Sequence, residues 1–343
     1  MGQLRVYNKA RKTAFFVALL LLCFSLAQAQ PTSHTNNAGG FTRFKKKKRY
    51  WSVGATLQAM NYVGDLDPAE NFISPALRYT RPNFGAEALY RYSPRISFRG
   101  AFSWGRIRGN DNVSDKTGND QFRRLRNSDF RNTIVELKFD VVYDLKKNLG
   151  DYTKRPHGVP FIFAGIAGFY HNPKGMYDGK WIALQPLETE GVHYSKYQIA
   201  IPFGLGYRIY LGRNWDLSFE IGWRKTFTSY LDDVSNKYVD PNTQSAMSAE
   251  MANKSVQYIN QPSNPAAYAH ASQADLRQFI KSDAPDIAQD RIYYNAEHNR
   301  LEFWGWGLNG DQRGNAKSDW YILTGFHLNY IIGGRIVCPK FRD

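Results

Sequence analysis

Long stretches of the chain alternate between apolar residues and polar or small ones. In the clearest stretch, 215–224, tryptophan, leucine, phenylalanine and isoleucine occupy the odd positions, and charged residues, serine and glycine occupy the even ones. The same period of two recurs in segments 133–144, 197–209 and 320–332. A period of two places successive side chains on opposite faces, so it predicts extended strands with one apolar and one polar face.

Alternating segments of this kind recur along the whole chain and predict about eight strands. They cover residues 50–62, 82–92, 95–106, 131–145, 158–171, 195–211, 214–230 and 318–336. Most are longer than the roughly five or six residues common in globular proteins. Their lengths match the roughly 9–11 tilted residues with which a strand crosses a bilayer. In the fifth segment, Ala164, Gly165, Ala167 and Gly168 are expected to line a crowded barrel interior.

The connections between the predicted strands alternate between short and long. The short ones are Ser93-Pro94, a polar segment at 146–157 and Gly212–Asn214. The long ones cover 63–81, 107–130, 172–194 and 231–317. Short turns at one end and long loops at the other are typical of outer-membrane barrels. The chain is therefore predicted to be all-β, an antiparallel transmembrane β-barrel of about eight strands and OmpA-like size, with a long insert before the last strand.

The polar face of the predicted strands carries charges of both signs. Eight strands enclose an interior that side chains just fill, so these charges are expected to point inward and to neutralise one another. A soluble sandwich would instead need a second sheet to cover the aromatic face. The residues expected inside are Glu87, Arg91, Arg99, Glu136, Lys138, Asp140, Arg208, Asp216, Glu220 and Arg224.

The insert at 231–317 is too long for a loop without structure of its own, and we expect a long outer loop or a partly folded cap. Within it, 272–289 has apolar residues at roughly helical spacing and is expected to hold a short helix.

The N-terminal segment 1–29 has the three parts of a secretory signal peptide. Four basic residues precede an apolar run from Ala14 to Leu26, and Ala27-Gln28-Ala29 supplies a cleavage site. Export argues against a nucleic-acid partner, although the full chain carries a net charge of +15. Cleavage of the signal peptide would also leave Cys338 as the single cysteine, so no internal disulfide could form.

Composition divides the rest of the chain into an arm and a barrel. Residues 30–49 are rich in serine, threonine, asparagine and glycine and end in five consecutive bases, as expected of a flexible basic periplasmic arm. Residues 50–343 form the barrel, and 338–343 form a periplasmic tail. Together with the signal peptide, this organisation predicts the cell outer membrane as the location.

Motif searching predicts no catalytic, metal or cofactor site. A His193–Ser195 pair, with Glu188 or Glu190 to orient the histidine, resembles the pairs of lipid-modifying barrel enzymes, but such pairs on strands are common by chance. Arg123, Arg124 and Arg126 form a basic cluster in a long loop, where lipopolysaccharide phosphates would attract them or water would simply solvate them.

Four segments resemble the PorG-like outer-membrane proteins of the type IX secretion system. They are Asn61–Leu66, Phe227–Ser235, Arg313–Asn315 with Asp319–Tyr321, and Cys338–Phe341, and the resemblance covers about residues 50–343. It implies a non-enzymatic component that anchors or scaffolds a periplasmic ring of PorK-like and PorN-like proteins. The family has no catalytic residues to transfer. In a structural interpretation, Gly64 and Asp65 fit a tight strand exit, and Asp232 and Asp233 cap or pair near the barrel mouth.

A periplasmic partner would meet the short-turn end and the two termini. The residues expected to bind it are Arg43, Lys45, Lys46, Lys47, Lys48, Arg49, Cys338, Lys340 and Phe341. Outer-membrane lipids, lipopolysaccharide included, are expected around the barrel. The alternatives are a stand-alone OmpA-like structural or adhesive barrel and a lipid-modifying barrel enzyme.

Overall fold

The computed structural model describes most of the predicted strand region. The described residues are 48–66, 79–111, 126–254, 292–295, 300–303 and 312–332. The predicted signal peptide, most of the basic arm, the helix expected at 272–289 and the C-terminal tail lie outside them.

Eleven strands and one short α-helix form the regular structure of the described residues. The strands are β1 Trp51–Val63, β2 Arg81–Arg91, β3 Ile96–Asn110, β4 Asp129–Asp144, β5 Gly158–Tyr177, β6 Lys180–Ala183, β7 Tyr197–Tyr210, β8 Trp215–Thr226, β9 Ile292–Asn295, β10 Arg300–Phe303 and β11 Trp320–Ile332. Helix α1 spans Ala246–Ala252, and 3₁₀ turns span Gln185–Leu187 and Pro241–Thr243.

Eight of these strands close into an antiparallel barrel. The sheet order is β4-β3-β2-β1-β11-β8-β7-β5, and pairing between β4 and β5 closes the ring. Strand β6 pairs with the far end of β5 outside the ring, and β9 pairs with β10 in a separate two-stranded sheet. The prediction of an eight-stranded antiparallel barrel is confirmed.

The two faces of the barrel wall differ as the alternation predicts. Large apolar side chains point outward and stay exposed on all eight strands, as in Leu57, Phe139 and Leu205. Of the ten charged residues expected inside, nine are buried, and the side chain of Arg208 is 13% exposed. Because each of the eight strands pairs with a neighbour on both sides, the ring has no free sheet edge.

The interior of β5 differs from the prediction. Ala164 and Gly168 lie on the outer face, whereas Phe161, Phe163 and Phe169 point inward and are buried beside Ala167. The Phe163 ring packs against the cations of Arg99 and Lys138, the Phe161 ring against Arg208, and the Phe169 ring edge-on against Tyr321.

Two strand ends also differ from the sequence pattern. Strand β8 ends at Thr226 instead of 230, because the Thr226 hydroxyl donates to the Thr228 carbonyl and the Tyr230 N–H donates to the Thr228 hydroxyl, which turns the chain. Strand β5 continues to Tyr177 because its end pairs with β6.

The mouth at the long-loop end holds the main apolar cluster. It combines strand ends with the start of the insert, and its larger members are Met60, Tyr62, Leu66, Ile107, Phe130, Ile134, Phe169, Leu231, Val234, Tyr321 and Leu323. Residues 231–254 therefore pack onto the barrel, with α1 started by Ser245, whose side chain accepts the Ser248 N–H. No helix among the described residues is long and apolar enough to span a membrane.

Candidate functional site

The centre of the barrel interior is organised around Arg99 on β3. Its guanidinium donates to Asp140 from Nε at 3.0 Å and from Nη2 at 2.9 Å. Nη1 donates to Glu220 and lies 3.6 Å from Glu87. The same guanidinium stacks over the Phe163 ring, 4.7 Å from its centroid. One buried cation thus joins carboxylates from three other strands.

Neighbouring groups complete this interior network. His327 Nδ1 lies 2.9 Å from Glu87, and Asn329 donates to the other oxygen of Glu87 at 2.8 Å. Lys138 pairs with Asp140 at 2.8 Å and also faces the Phe163 ring. Buried charges are tolerated only when paired and hydrogen-bonded, and here each carboxylate has at least one cationic neighbour.

Arginines also fill the interior at the short-turn end. Arg91 and Arg208 flank Asp144 at 3.6 and 3.2 Å, and Arg155 pairs with Asp216 at 3.0 Å. The void left among these side chains measures about 10 Å³, which is room for about one water molecule. Side chains therefore fill the described interior from this end.

The opposite mouth is closed by contacts between the four long loops. Arg126 forms a two-pronged ion pair with Asp111 at 2.7 and 2.9 Å, and donates to the carbonyls of Asp65 and Arg313 at 3.1 and 2.7 Å. Arg313 in turn donates to Glu190 at 3.1 Å and to the Asp233 carbonyl at 2.6 Å. We call these interconnected loop residues, together with 231–254, the cap.

Three acidic and phenolic groups meet at the base of the cap. Tyr62 Oη lies 2.7 Å from Asp232 Oδ2 and 3.0 Å from Asp319 Oδ1. A phenol has one proton and can donate to only one of these oxygens, so the other contact requires a proton on a carboxyl. Burial, followed by repulsion from Asp65 and from one another, raises the pKa of both Asp232 and Asp319 well above the ordinary range.

Asp233 occupies a separate buried position in the cap. Its carboxylate accepts from the Tyr194 hydroxyl at 2.6 Å and from the Thr189 hydroxyl, and it lies 3.7 Å from Arg313. Burial nevertheless raises the pKa of Asp233 to about 6. Its φ of 70° places it in the left-handed region that Asp and Asn adopt more readily than most residues.

Three of the four segments that carry the family resemblance meet at this mouth, and the fourth, Cys338–Phe341, lies outside the described residues. Asp232 and Asp319 share Tyr62, the Leu231 N–H donates to Asp319 at 2.9 Å, and the Asn315 N–H donates to Asp65 at 3.0 Å. The sequence indicated these segments but gave no sign that they touch. The sequence singled out Glu190 only as a residue to orient His193 and did not single out Asp111, since isolated acids in long loops resemble solvated ones.

Other residues singled out from the sequence are arranged differently. His193 is 71% exposed and contacts Glu188 at 2.9 Å, while Ser195 Oγ bonds to the Tyr197 backbone. No hydrogen bond joins His193 to Ser195 among the described residues. Glu190 contacts Arg313 instead of the histidine. Arg126 is buried in its pair with Asp111, so it neither faces water nor presents its guanidinium to lipopolysaccharide phosphates, the two alternatives given for the cluster. Arg123 and Arg124 lie outside the described residues.

Two of the residues expected to bind a partner are described. Lys48 donates to the Leu149 carbonyl at 2.6 Å, and the Arg49 guanidinium lies 4.7 Å from the centroid of Tyr92. Both contacts are at the short-turn end of the barrel. Arg43, Lys45, Lys46, Lys47, Cys338, Lys340 and Phe341 lie outside the described residues. The described part of the chain also holds no cluster of three or more metal-ligating side chains.

A family profile matches residues 41–255, which is more than half of the chain; the family is described as a domain of unknown function (DUF6089). The chain belongs to the DUF6089 family. The match includes β1 to β8 and the part of the cap that ends with α1. No curated protein matches this DUF6089 member in sequence.

Several solved structures are similar to this DUF6089 protein at low identity. Neisserial surface protein A is 13% identical, with 51% of this chain and 82% of that chain covered and a TM-score of 0.30. OprG from Pseudomonas aeruginosa is 7% identical over 84% and 98%, with a TM-score of 0.35. The N-terminal barrel domain of OprF from the same organism is 9% identical over 81% and 97%, with a TM-score of 0.29. At these scores the similarity carries no functional argument.

Proposed function

We propose that this protein is an integral outer-membrane barrel that works as a non-enzymatic scaffold. The observation that carries the proposal is the combination of an apolar outer surface on all eight closed strands with a charged, filled interior. An apolar band of this kind suits a lipid environment, where every backbone group of the wall is already paired. The predicted signal peptide supports export.

The two ends of the barrel are proposed to face different compartments. Both ends of the chain's barrel segment, at Trp51 and Ile332, and the three short connections lie at one end. In outer-membrane barrels that end faces the periplasm. The cap then faces outward.

Because side chains fill the interior, we assign the function to the exposed surfaces of the barrel. The buried ion pairs around Arg99 and the closed cap leave no room for a wide aqueous path, so we expect at most a small conductance in planar bilayers. The arrangement of His193 and Ser195 also gives no support to the lipid-modifying alternative.

The finer proposal is a role in type IX secretion. It rests on the resemblance to PorG-like proteins, whose implied partners are PorK-like and PorN-like ring proteins. The short-turn end offers the basic residues that would meet such a ring, starting from Lys48 and Arg49. Each exposed pair contributes only about 0.2–1 kcal/mol, so several must act together.

Crosslinking in intact cells, followed by identification of the attached proteins, tests this proposal. A variant with residues 45–49 neutralised should lose the ring proteins at low ionic strength, where charge matters most. The variant Lys154→Gln/Arg213→Gln, which removes two exposed charges from the same end, is the control. Retained secretion after deletion of the gene, with weakened envelope integrity, would support the stand-alone structural barrel instead.

Membrane placement is tested separately. The protein should fractionate with the outer membrane and migrate differently on gels before and after heating. Recovery as a monomer in the periplasm without detergent would contradict the whole proposal.

A further inference from the structure

A groove of about 470 Å³ runs over the outer face of β1 to β4 near the short-turn end. This volume lies within the roughly 300–1,000 Å³ typical of small-molecule sites. Its floor is the directly paired couple Ala88 and Gly100. Its walls are formed by Trp51, Tyr90, Phe98, Phe139 and Val141.

Strand register explains why the groove forms there. Tyr90 pairs with Phe98 in the adjacent row, so large rings stand beside the small floor residues. A Cβ placed on Gly100 would touch only the Phe139 ring, at 3.4 Å. Phe98 and Phe139 are 47% and 61% exposed, so no other part of the described chain fills the space.

Cations stand at the short-turn end of this groove. The Arg49 guanidinium lies 4.7 Å over the Tyr92 ring, which is 5.8 Å from the Phe98 ring in the groove wall. On the other side, Arg95 donates to the Tyr143 hydroxyl at 2.7 Å, and Tyr143 follows Val141 on the same face of β4. Neither arginine has a carboxylate partner among the described residues.

We propose that this groove binds one diacyl phospholipid, with an acyl chain over Ala88 and Gly100 and the phosphate at Arg49 and Arg95. An apolar slot that ends at aromatic rings and at guanidinium groups without a carboxylate partner matches a molecule with an apolar tail and an anionic head. The Trp51 and Tyr90 rings lie 4.9 Å apart, tilted by 35°, beside this boundary, where amphipathic rings are favoured. The inference rests on the proposed membrane location.

The acyl-chain part is tested with a phosphatidylglycerol that carries a photoreactive diazirine in one chain. Added to the purified full-length protein in detergent micelles, it should label peptides of β2, β3 and β4 around the groove. Gly100→Leu fills the slot and should lower labelling about tenfold, since it displaces two or more methylene contacts. Gly168→Leu is the matched control, because its outward Cβ meets nothing within 4 Å.

The headgroup part is tested with Arg49→Gln/Arg95→Gln. This variant should weaken phosphatidylglycerol binding about tenfold in native mass spectrometry, as expected when charge-assisted hydrogen bonds are lost. Lys154→Gln/Arg213→Gln removes the same charge from the same end and should bind normally. A diazirine diacylglycerol, which has the acyl chains but no anionic headgroup, should label the groove weakly in every variant.

Three results would overturn the proposal. Labelling spread evenly over all eight strands would indicate surrounding lipid only. Equal labelling by the diacylglycerol would show that the anionic headgroup contributes nothing to binding. Displacement of the probe by a co-purified protein would assign the groove to a partner. The binding assays use purified protein in micelles, so their results do not depend on where the protein resides in the cell. Finding the protein outside the outer membrane would refute the proposed location, whereas the lipid site is judged by the binding assays alone.

Discussion

The phenol oxygen of Tyr62, at the end of β1, lies 2.7 Å from the carboxylate of Asp232, 170 positions further along the chain. This contact joins the barrel wall to the first residues of the cap. It also belongs to a cluster in which one proton is missing unless Asp232 or Asp319 supplies it. The attachment of the cap to the barrel therefore depends on the protonation of Asp232 and Asp319.

Removing this hydroxyl should loosen the cap. Tyr62→Phe leaves two buried carboxyls without their shared partner and should lower the free energy of unfolding by about 1–3 kcal/mol. Urea titration in detergent micelles, followed by tryptophan fluorescence, measures the change. The control is Tyr207→Phe on the exposed outer face, where we expect a change within about 0.5 kcal/mol. Equal effects of the two substitutions would show that the Tyr62 cluster contributes nothing.

The buried Asp233 should make stability depend on pH. Because its pKa is raised to about 6 in the folded protein, the folded state holds the proton more tightly than the unfolded state. The stability that protonated Asp233 contributes to the folded state is present below about pH 4 and is lost as the pH rises through 6. The loss amounts to about 3 kcal/mol.

Asp233→Asn should remove this part of the pH profile while keeping the left-handed backbone at that position. Unfolding in urea at several values between pH 4 and 7 gives the difference between the two proteins. Asp178→Asn, an exposed aspartate with φ of 44°, controls for the loss of a carboxylate in the same backbone conformation. A difference that stays constant over this pH range would contradict the assignment to Asp233.

The interior network should depend on Arg99. Arg99→Gln leaves Asp140, Glu220 and Glu87 without their common cation, and should destabilise the barrel by about 3–5 kcal/mol. The change is measured as loss of the heat-modifiable folded form across a temperature series. Arg99→Lys should not restore stability, since an ammonium group cannot reproduce the forked contacts to Asp140. Stability equal to that of Arg213→Gln, an exposed change, would argue against a structural role for Arg99.

Cap closure should depend on Arg313. Arg313→Gln removes the contacts to Glu190 and Asp233, so the cap should open more often while the barrel stays folded. Cleavage by trypsin after Lys254, which is buried against Asp129, reports this opening and should accelerate at least roughly tenfold. Lys317→Gln, a neighbouring exposed change, serves as the control. Unchanged cleavage after Lys254 in the Arg313 variant would show that other contacts hold the cap.

The candidate site was only partly visible in the sequence. Segments Asn61–Leu66 and Phe227–Ser235 were marked by their resemblance to a family, and the structure places both at the mouth. The pairing of Asp111 with Arg126 and of Glu190 with Arg313 at the same mouth had no such mark, because a single acid in a long polar loop carries no pattern that distinguishes a buried ion pair from a solvated charge.

The barrel wall follows from the local pattern of the sequence. Alternation with a period of two is a local property, so it identifies the strands, their outward apolar face and their inward charges, and connection lengths identify the two ends. The closure of the interior follows instead from contacts between distant parts of the chain. The inward position of Phe161 and Phe163 depends on cations from other strands, and the cap depends on contacts such as that from Arg126 to the Arg313 carbonyl, 187 positions apart. Interactions over such separations leave no local period to read.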